Sequence, residues 1–239
     1  MKLGLSFPQT EIGTDPIVIK DFLQAAEELG YDFVTFVDHV LGEEAPRGAT
    51  FANKYTRDYM FHEVMVLMGY AAAVTQKIGL GTAVMILPQR QAVLVAKQAA
   101  EIDILSGGRL RLGVGLGWNK VEYDALGMTF GNRAKRFGEQ IDVMRKLWSN
   151  RTVEYNGEFH KFESAGINPE PVQRPIPVWI GAMKDVAVRR AAAVGDGWFM
   201  FPRQDPSDEA QKMISVFRQS AAEAGKEPDD LGINATVFA

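Results

Sequence analysis

Asp38 and His39 follow the run DFVTFV at residues 32–37, whose β-branched and aromatic residues predict a strand. A histidine at a strand end can orient a substrate or move a proton, because its ordinary pKa lies near neutrality. The competing reading is a histidine bonded to its own loop. A second pattern occupies 109–117, RLRLGVGLG. Leu110, Leu112, Val114 and Leu116 share one face of a strand, and Arg111, Gly113, Gly115 and Gly117 share the other. The glycine face predicts room for a flat ring at the strand's end; relief of crowding in a tight interior is the alternative. The run Gly81-Thr82-Ala83-Val84-Met85-Ile86 reads either as a wall behind such a ring or as plain core. Gly181-Ala182-Met183-Lys184 precede a helix start, where backbone N–H groups and a lysine charge attract an anion.

Other chemistries are excluded by what is lacking. There is no cysteine, so disulfides, thiolate metal sites and cysteine nucleophiles are ruled out. With three histidines, and Val66 where a zinc-protease helix would repeat His62, no metal site is expected. Gly113, Gly115 and Gly117 are spaced GxGxG rather than GxGxxG, and no GxSxG elbow occurs. A net charge of −4 gives no footprint for nucleic acid or an anionic membrane. The opening MKLGLSFPQT is too short in apolar residues for a secretory signal, and no stretch approaches the ~18 needed to span a bilayer. A cytoplasmic protein is the expectation.

Alternating strand and helix signals must position these residues. Strands are expected at 2–7, 32–37, 78–86, 109–116, 177–181, 197–201 and 232–238. Helices are expected after Asp15-Pro16 and at roughly 61–75, 91–105, 133–148, 185–194 and 206–224. Residues 40–60 and 118–132 read as loops, 152–162 as a hairpin insertion turning at Asn156-Gly157, and 167–177 as an extended connection. The apolar stretch 64–74 is expected to pack in the shell or against a second subunit. Repeated βα units require a parallel sheet, since parallel neighbours need a crossover. The 239 residues suit one domain, 1–239, built as a (β/α)8 TIM barrel with its eighth βα unit missing from this chain. A doubly wound open sheet is the alternative.

Four segments carry a family resemblance: LGLSFPQT, FVDHV, GLGTAVMILPQRQAVLVAKQAAEIDILSGGRLRLGVGLGWNKVEYDALG and PVWIGAMKDVAVRRAAAVGDGW. On these the chain resembles the luciferase-like monooxygenases, and among them the oxidoreductases that use the deazaflavin coenzyme F420. The resemblance implies a TIM barrel, usually a homodimer, with F420 or FMN at the carboxyl-end mouth. It implies that Asp38 lies beside the deazaflavin ring and that His39 is the catalytic histidine. A non-proline cis bond at Ala83-Val84 would back the ring. Leu116 and Gly117 would meet the cofactor through their backbone, and Gly181, Ala182, Met183 and Lys184 would hold its phosphate tail. Trp118 replaces the acidic proton donor of the sugar-phosphate dehydrogenases, and Gly181-Ala182 replaces a glycine pair.

The expected activity is hydride transfer between deazaflavin and a small organic substrate. Gly115 and Gly117 would make room for the ring, Trp118 would shape the pocket, and the 40–60 loop would serve as a lid. An FMN-dependent monooxygenase and a non-catalytic flavin-binding protein are the alternatives. A barrel hydrolase is disfavoured by the lack of a carboxylate pair or metal cluster.

Overall fold

A computed structural model describes residues 1–44, 55–201 and 208–236. Its frame is a parallel sheet of β1 (Gly4–Ser6), β2 (Phe33–Phe36), β3 (Gly79–Thr82), β5 (Leu110–Gly115), β8 (Val178–Ala182), β9 (Gly197–Met200) and β10 (Gly232–Ala235), paired in that order. The two-residue β4 (Met85–Ile86) pairs with β5 beyond the end of β3. Chain order and sheet order never reverse. This excludes the doubly wound alternative, whose order switches direction part-way. Crossovers of one hand place the helices on one face and curl the sheet into a partial barrel. Among the described residues the order ends at β1 and β10, with no eighth barrel strand joining them.

The helices are α1 (Pro16–Glu28), α2 (Val64–Val74), α3 (Ala92–Ser106), α4 (Lys120–Ala125), α5 (Arg133–Ser149), α6 (Asp185–Val194) and α7 (Asp208–Glu223). Asp15 caps α1 by accepting from the Ile17 N–H at 2.8 Å, with Pro16 at the first helical position. Gly107 ends α3 in the left-handed conformation, φ 68°. The core lies between helices and sheet. Val34, Phe36, Leu80, Leu112, Val114, Val178 and Trp198 face Leu23, Val95, Ala99, Ile141 and Phe217, all essentially inaccessible. Trp148 joins them and satisfies its indole N–H on the Ala96 carbonyl at 2.9 Å.

The opposite, inward face carries Thr35, Gly81, Arg111, Gly113, Gly115, Trp179 and Gly181. The Arg111 guanidinium lies 4.1 Å from the Trp179 ring centroid and 5.2 Å from that of Phe33. A cavity of about 310 Å³ opens there, at the amino ends of the strands. In a barrel that end serves stability, and chemistry sits at the other.

Three elements differ from expectation. The strand expected at 78–86 breaks at Ala83-Val84 into β3 and β4. The loop expected at 118–132 contains α4. The hairpin strands β6 (Val153–Asn156) and β7 (Lys161–Ala165) are joined by a turn that Gly157 opens, its N–H donating to the His160 carbonyl at 2.9 Å, so Asn156 remains in the strand. Among the described residues no helix is long and apolar enough to cross a membrane.

Candidate active site

Asp38 follows β2 and is 2% exposed. Its Oδ2 accepts the Ile86 N–H at 2.9 Å, and its Oδ1 lies 2.8 Å from Arg90 Nη2. The other arm of Arg90 donates to Glu63 Oε1 at 2.9 Å. Burial alone would weaken the Arg90 charge, but the two carboxylates outweigh it and hold its pKa above the ordinary range. Both oxygens of Asp38 therefore serve the protein, tying the end of β2 to the segment just past Ala83-Val84.

His39 points the other way. Its Nδ1 lies 3.2 Å from Glu122 Oε1, which also accepts the Val40 N–H at 2.7 Å and the Leu41 N–H at 3.4 Å. Glu122 Oε2 accepts from Gln89 Nε2 at 3.3 Å. Glu122 is 1% exposed. Burial pushes its pKa up, but the hydrogen bond and charge of His39, the Val40 N–H and Gln89 together bring it below the usual carboxylate range. The imidazole stacks on Tyr55, with centroids 4.5 Å apart and planes 24° apart. Phe61 lies at 4.8 Å and Trp118 at 6.0 Å. A cavity of about 280 Å³ opens beside this cluster, lined by His39, Leu41, Tyr55, Arg57, Tyr59 and Phe61.

The expected lid, 40–60, is described only at its two ends; residues 45–54 lie outside the described residues. Those ends meet. Glu43 pairs with Thr56 in a parallel bridge, and the Arg57 N–H donates to the Glu43 carbonyl at 3.1 Å. Gly42 permits the approach: a Cβ there would lie 2.4 Å from the Thr56 carbonyl carbon.

The glycine face of β5 does not leave an open slot. A Cβ on Gly113 would fall 1.8 Å from the Thr82 carbonyl oxygen, and one on Gly115 would fall 2.6 Å from Val84 Cγ2. One on Gly117 would meet Ile86 Cγ2 at 2.5 Å, and one on Gly181 would meet Val84 Cγ1 at 2.9 Å. The room is taken by residues 82–86, so crowding relief is the correct account. Ala83 and Val84, joined by a cis peptide bond, remain half-buried on this glycine bed. Leu116 is held by the Tyr123 hydroxyl, which donates to its carbonyl at 2.5 Å. Burial first of all pushes that phenol up to about 12, so it stays a donor.

The carboxyl ends of β2, β3, β5 and β8 thus bring Asp38, His39, Ala83, Val84, Gly115, Leu116, Gly117, Trp118 and Gly181 into one region. Ala182 is buried, and its carbonyl accepts the Trp198 indole N–H at 3.0 Å. Met183 and Lys184 are exposed on the turn into α6, whose N-cap lacks a side-chain hydrogen bond.

Sequence reasoning missed Glu122, Tyr55, Phe61, Arg90 and Glu63. A signal for Glu122 existed. Asn119 with Glu122 three residues on is a helix-start pattern. Asn119 does cap α4, accepting the Val121 N–H at 3.1 Å, but Glu122 turns away to His39.

The family model for luciferase-like monooxygenases matches residues 5–239. The chain belongs to that family. An uncharacterized protein of Mycobacterium tuberculosis is 34% identical over 227 residues, covering 93% of this chain and 77% of the relative. An F420-dependent glucose-6-phosphate dehydrogenase of Nakamurella multipartita is 29% identical over 220 residues, covering 90% of this chain and 61% of the relative. The crystal structure of the monooxygenase RslO1 from Streptomyces bottropensis superposes with a TM-score of 0.80 at 25% identity, over 98% of this chain and 70% of that one. This luciferase-like chain therefore spans between three fifths and four fifths of these relatives.

Proposed function

We propose that this luciferase-like chain is an F420-dependent oxidoreductase that passes a hydride between deazaflavin and a small organic substrate. The observation that carries this reading is a histidine paired with a buried carboxylate beside an aromatic pocket, its neighbour Asp38 being bonded to Ile86 just past the Ala83-Val84 segment. The similarity to the F420-dependent dehydrogenase supports the choice of cofactor.

The residues present fit a flat ring with an anionic tail. Ala83 and Val84 are small, half-buried and uncharged, as a wall behind a ring must be. The backbone of Gly115, Leu116 and Gly117 borders them. Gly181, Met183 and Lys184 would receive the phosphate tail at the start of α6; Ala182, being buried, would contribute only backbone. The deazaflavin would supply the hydride-accepting carbon. His39 would take the substrate's O–H proton as the C–H hydride is lost in the oxidising direction, and would return it in the reducing direction. Trp118 and Tyr55 wall the substrate, and Asp38 keeps Ile86 and Arg90 in place. A homodimer belongs to this proposal, with the exposed Val66, Val93 and Leu94 of α2 and α3 as its apolar face.

Spectroscopic titration of the purified protein with F420 and, separately, with FMN tests the reading. Binding of F420 followed by bleaching of its absorbance on adding alcohols is the expected result. Binding of FMN alone, with oxygen consumption by the reduced form, would replace it with the monooxygenase reading, which the likeness to RslO1 favours. Binding without turnover across a broad substrate panel would leave the flavin-binding protein.

A further inference from the structure

We infer that Glu122 is the positioning residue for His39: it takes the Nδ1 proton in a hydrogen bond, turns Nε2 into the group that meets substrate, and fixes the root of the 40–60 segment to the same carboxylate. The inference rests on the proposed role of His39, but its first test does not.

Glu122 Oε1 sits among three N–H directions. The Val40 and Leu41 amides can only donate, so this oxygen acts as an acceptor. Its lowered pKa keeps the carboxylate ionised near neutrality, leaving it nothing to donate. His39 Nδ1, at 3.2 Å, must therefore carry the proton that Oε1 accepts. Nε2, on the opposite edge, is then the acceptor available to the pocket that His39 lines. In the proposed reaction Nε2 would take the substrate hydroxyl proton while the hydride passes to the deazaflavin; Glu122 would stabilise the resulting imidazolium without itself taking up the proton. The second oxygen of Glu122 reaches Gln89, three residues past β4. One buried carboxylate thus sets the histidine's tautomer and the direction in which the chain leaves β2, and ties both to Gln89.

The tautomer is read from nitrogen chemical shifts of protein labelled with 15N-histidine, without any cofactor. Three histidines contribute. His62 Nε2 donates to the Gly13 carbonyl at 3.1 Å and serves as the Nε2–H reference, and a His39→Gln variant assigns the remaining signals. The expected result is a protonated Nδ1 on His39. An unprotonated Nδ1 in the wild-type chain would overturn the inference outright, whatever any variant does.

Glu122→Gln gives the second test. Its amide oxygen stays toward the Val40 and Leu41 N–H groups and still accepts from Nδ1, but the charge that favours the Nδ1–H form and the imidazolium is gone, so the Nδ1–H form should lose part of its preference. Turnover should fall on the order of 10²-fold, while KM changes less than about threefold. Glu122→Asp should recover part of the loss. An unaltered tautomer, or KM rising with kcat intact, would show that Glu122 only supports the fold. Correct tautomers with no F420 turnover would sink the proposed activity and leave the role of Glu122 standing.

Discussion

The Asp38 carboxylate accepts the backbone N–H of Ile86 across 2.9 Å, joining the end of β2 to the residue two past Val84. Its other oxygen holds Arg90 at 2.8 Å. Asp38→Ala would therefore release two groups at once and leave the Arg90 guanidinium facing a buried void. The Arg90 Nε is already without a hydrogen-bond partner. A stability loss of about 3 kcal/mol is expected, the range for breaking a buried pair from one side. Denaturant unfolding checks it, and an unchanged midpoint would mean Asp38 is dispensable to the frame.

His39→Ala should separate binding from chemistry. The imidazole contacts Tyr55, Phe61 and Trp118, whereas Ala83 and Val84 are the residues proposed to back the ring. Turnover should fall on the order of 10²–10⁴-fold. The dissociation constant for F420, measured by fluorescence, should stay within about threefold. Equal losses in both would assign His39 to cofactor binding instead.

The glycine bed under Val84 makes a paired prediction. Gly115→Ala drives a methyl to within 2.6 Å of Val84 Cγ2 and should destabilise the protein by about 1–3 kcal/mol, as overpacking does. Val84→Ala removes that methyl, so the double variant should regain most of the loss. At Gly113 no such rescue exists, because its obstacle is the Thr82 backbone carbonyl at 1.8 Å. Melting temperatures of the four variants decide the matter; additive losses at 115 and 84 would refute the steric account.

Acid should unfold the protein through a small set of carboxylates. Glu27 accepts the N–H groups of Gln76, Lys77 and Ile78; Glu139 accepts those of Glu158, Phe159 and His160. For both, as for Glu122, burial raises the pKa but the hydrogen bonds prevail and leave it below 4.5. A carboxyl group with a lowered native pKa stabilises the fold fully above its unfolded value and loses that contribution as pH falls through the native one. Stability should thus be flat with respect to these groups at neutrality and decline below about pH 4.5. Glu139→Gln should flatten part of the decline and lower the plateau. A wild-type chain no less stable at pH 3 than at pH 6 would contradict this.

Much of the frame was legible because it is written in local patterns. Asp15-Pro16 and Gly107 mark helix ends whatever surrounds them, and alternation in LRLGVG identifies β5 from six residues. Asp38, His39 and Trp118 could be placed at the mouth because they follow strands directly. Glu122, Arg90 and Tyr55 could not, since each meets its partner only when separate βα units come together: Glu122 is 83 residues from His39. The glycines misled for a related reason. An absent Cβ signals proximity, but only the fold says whether a ligand or the next strand is near.

The bridge between Glu43 and Thr56 also bears on how relatives of this chain can diverge. The bridge holds positions 43 and 56 together, so a change of length between them need not move either end. Doubling such an excursion costs only about 0.6 kcal/mol in closure entropy. Insertions and deletions between positions 43 and 56 can therefore accumulate among relatives without renegotiating the scaffold beneath.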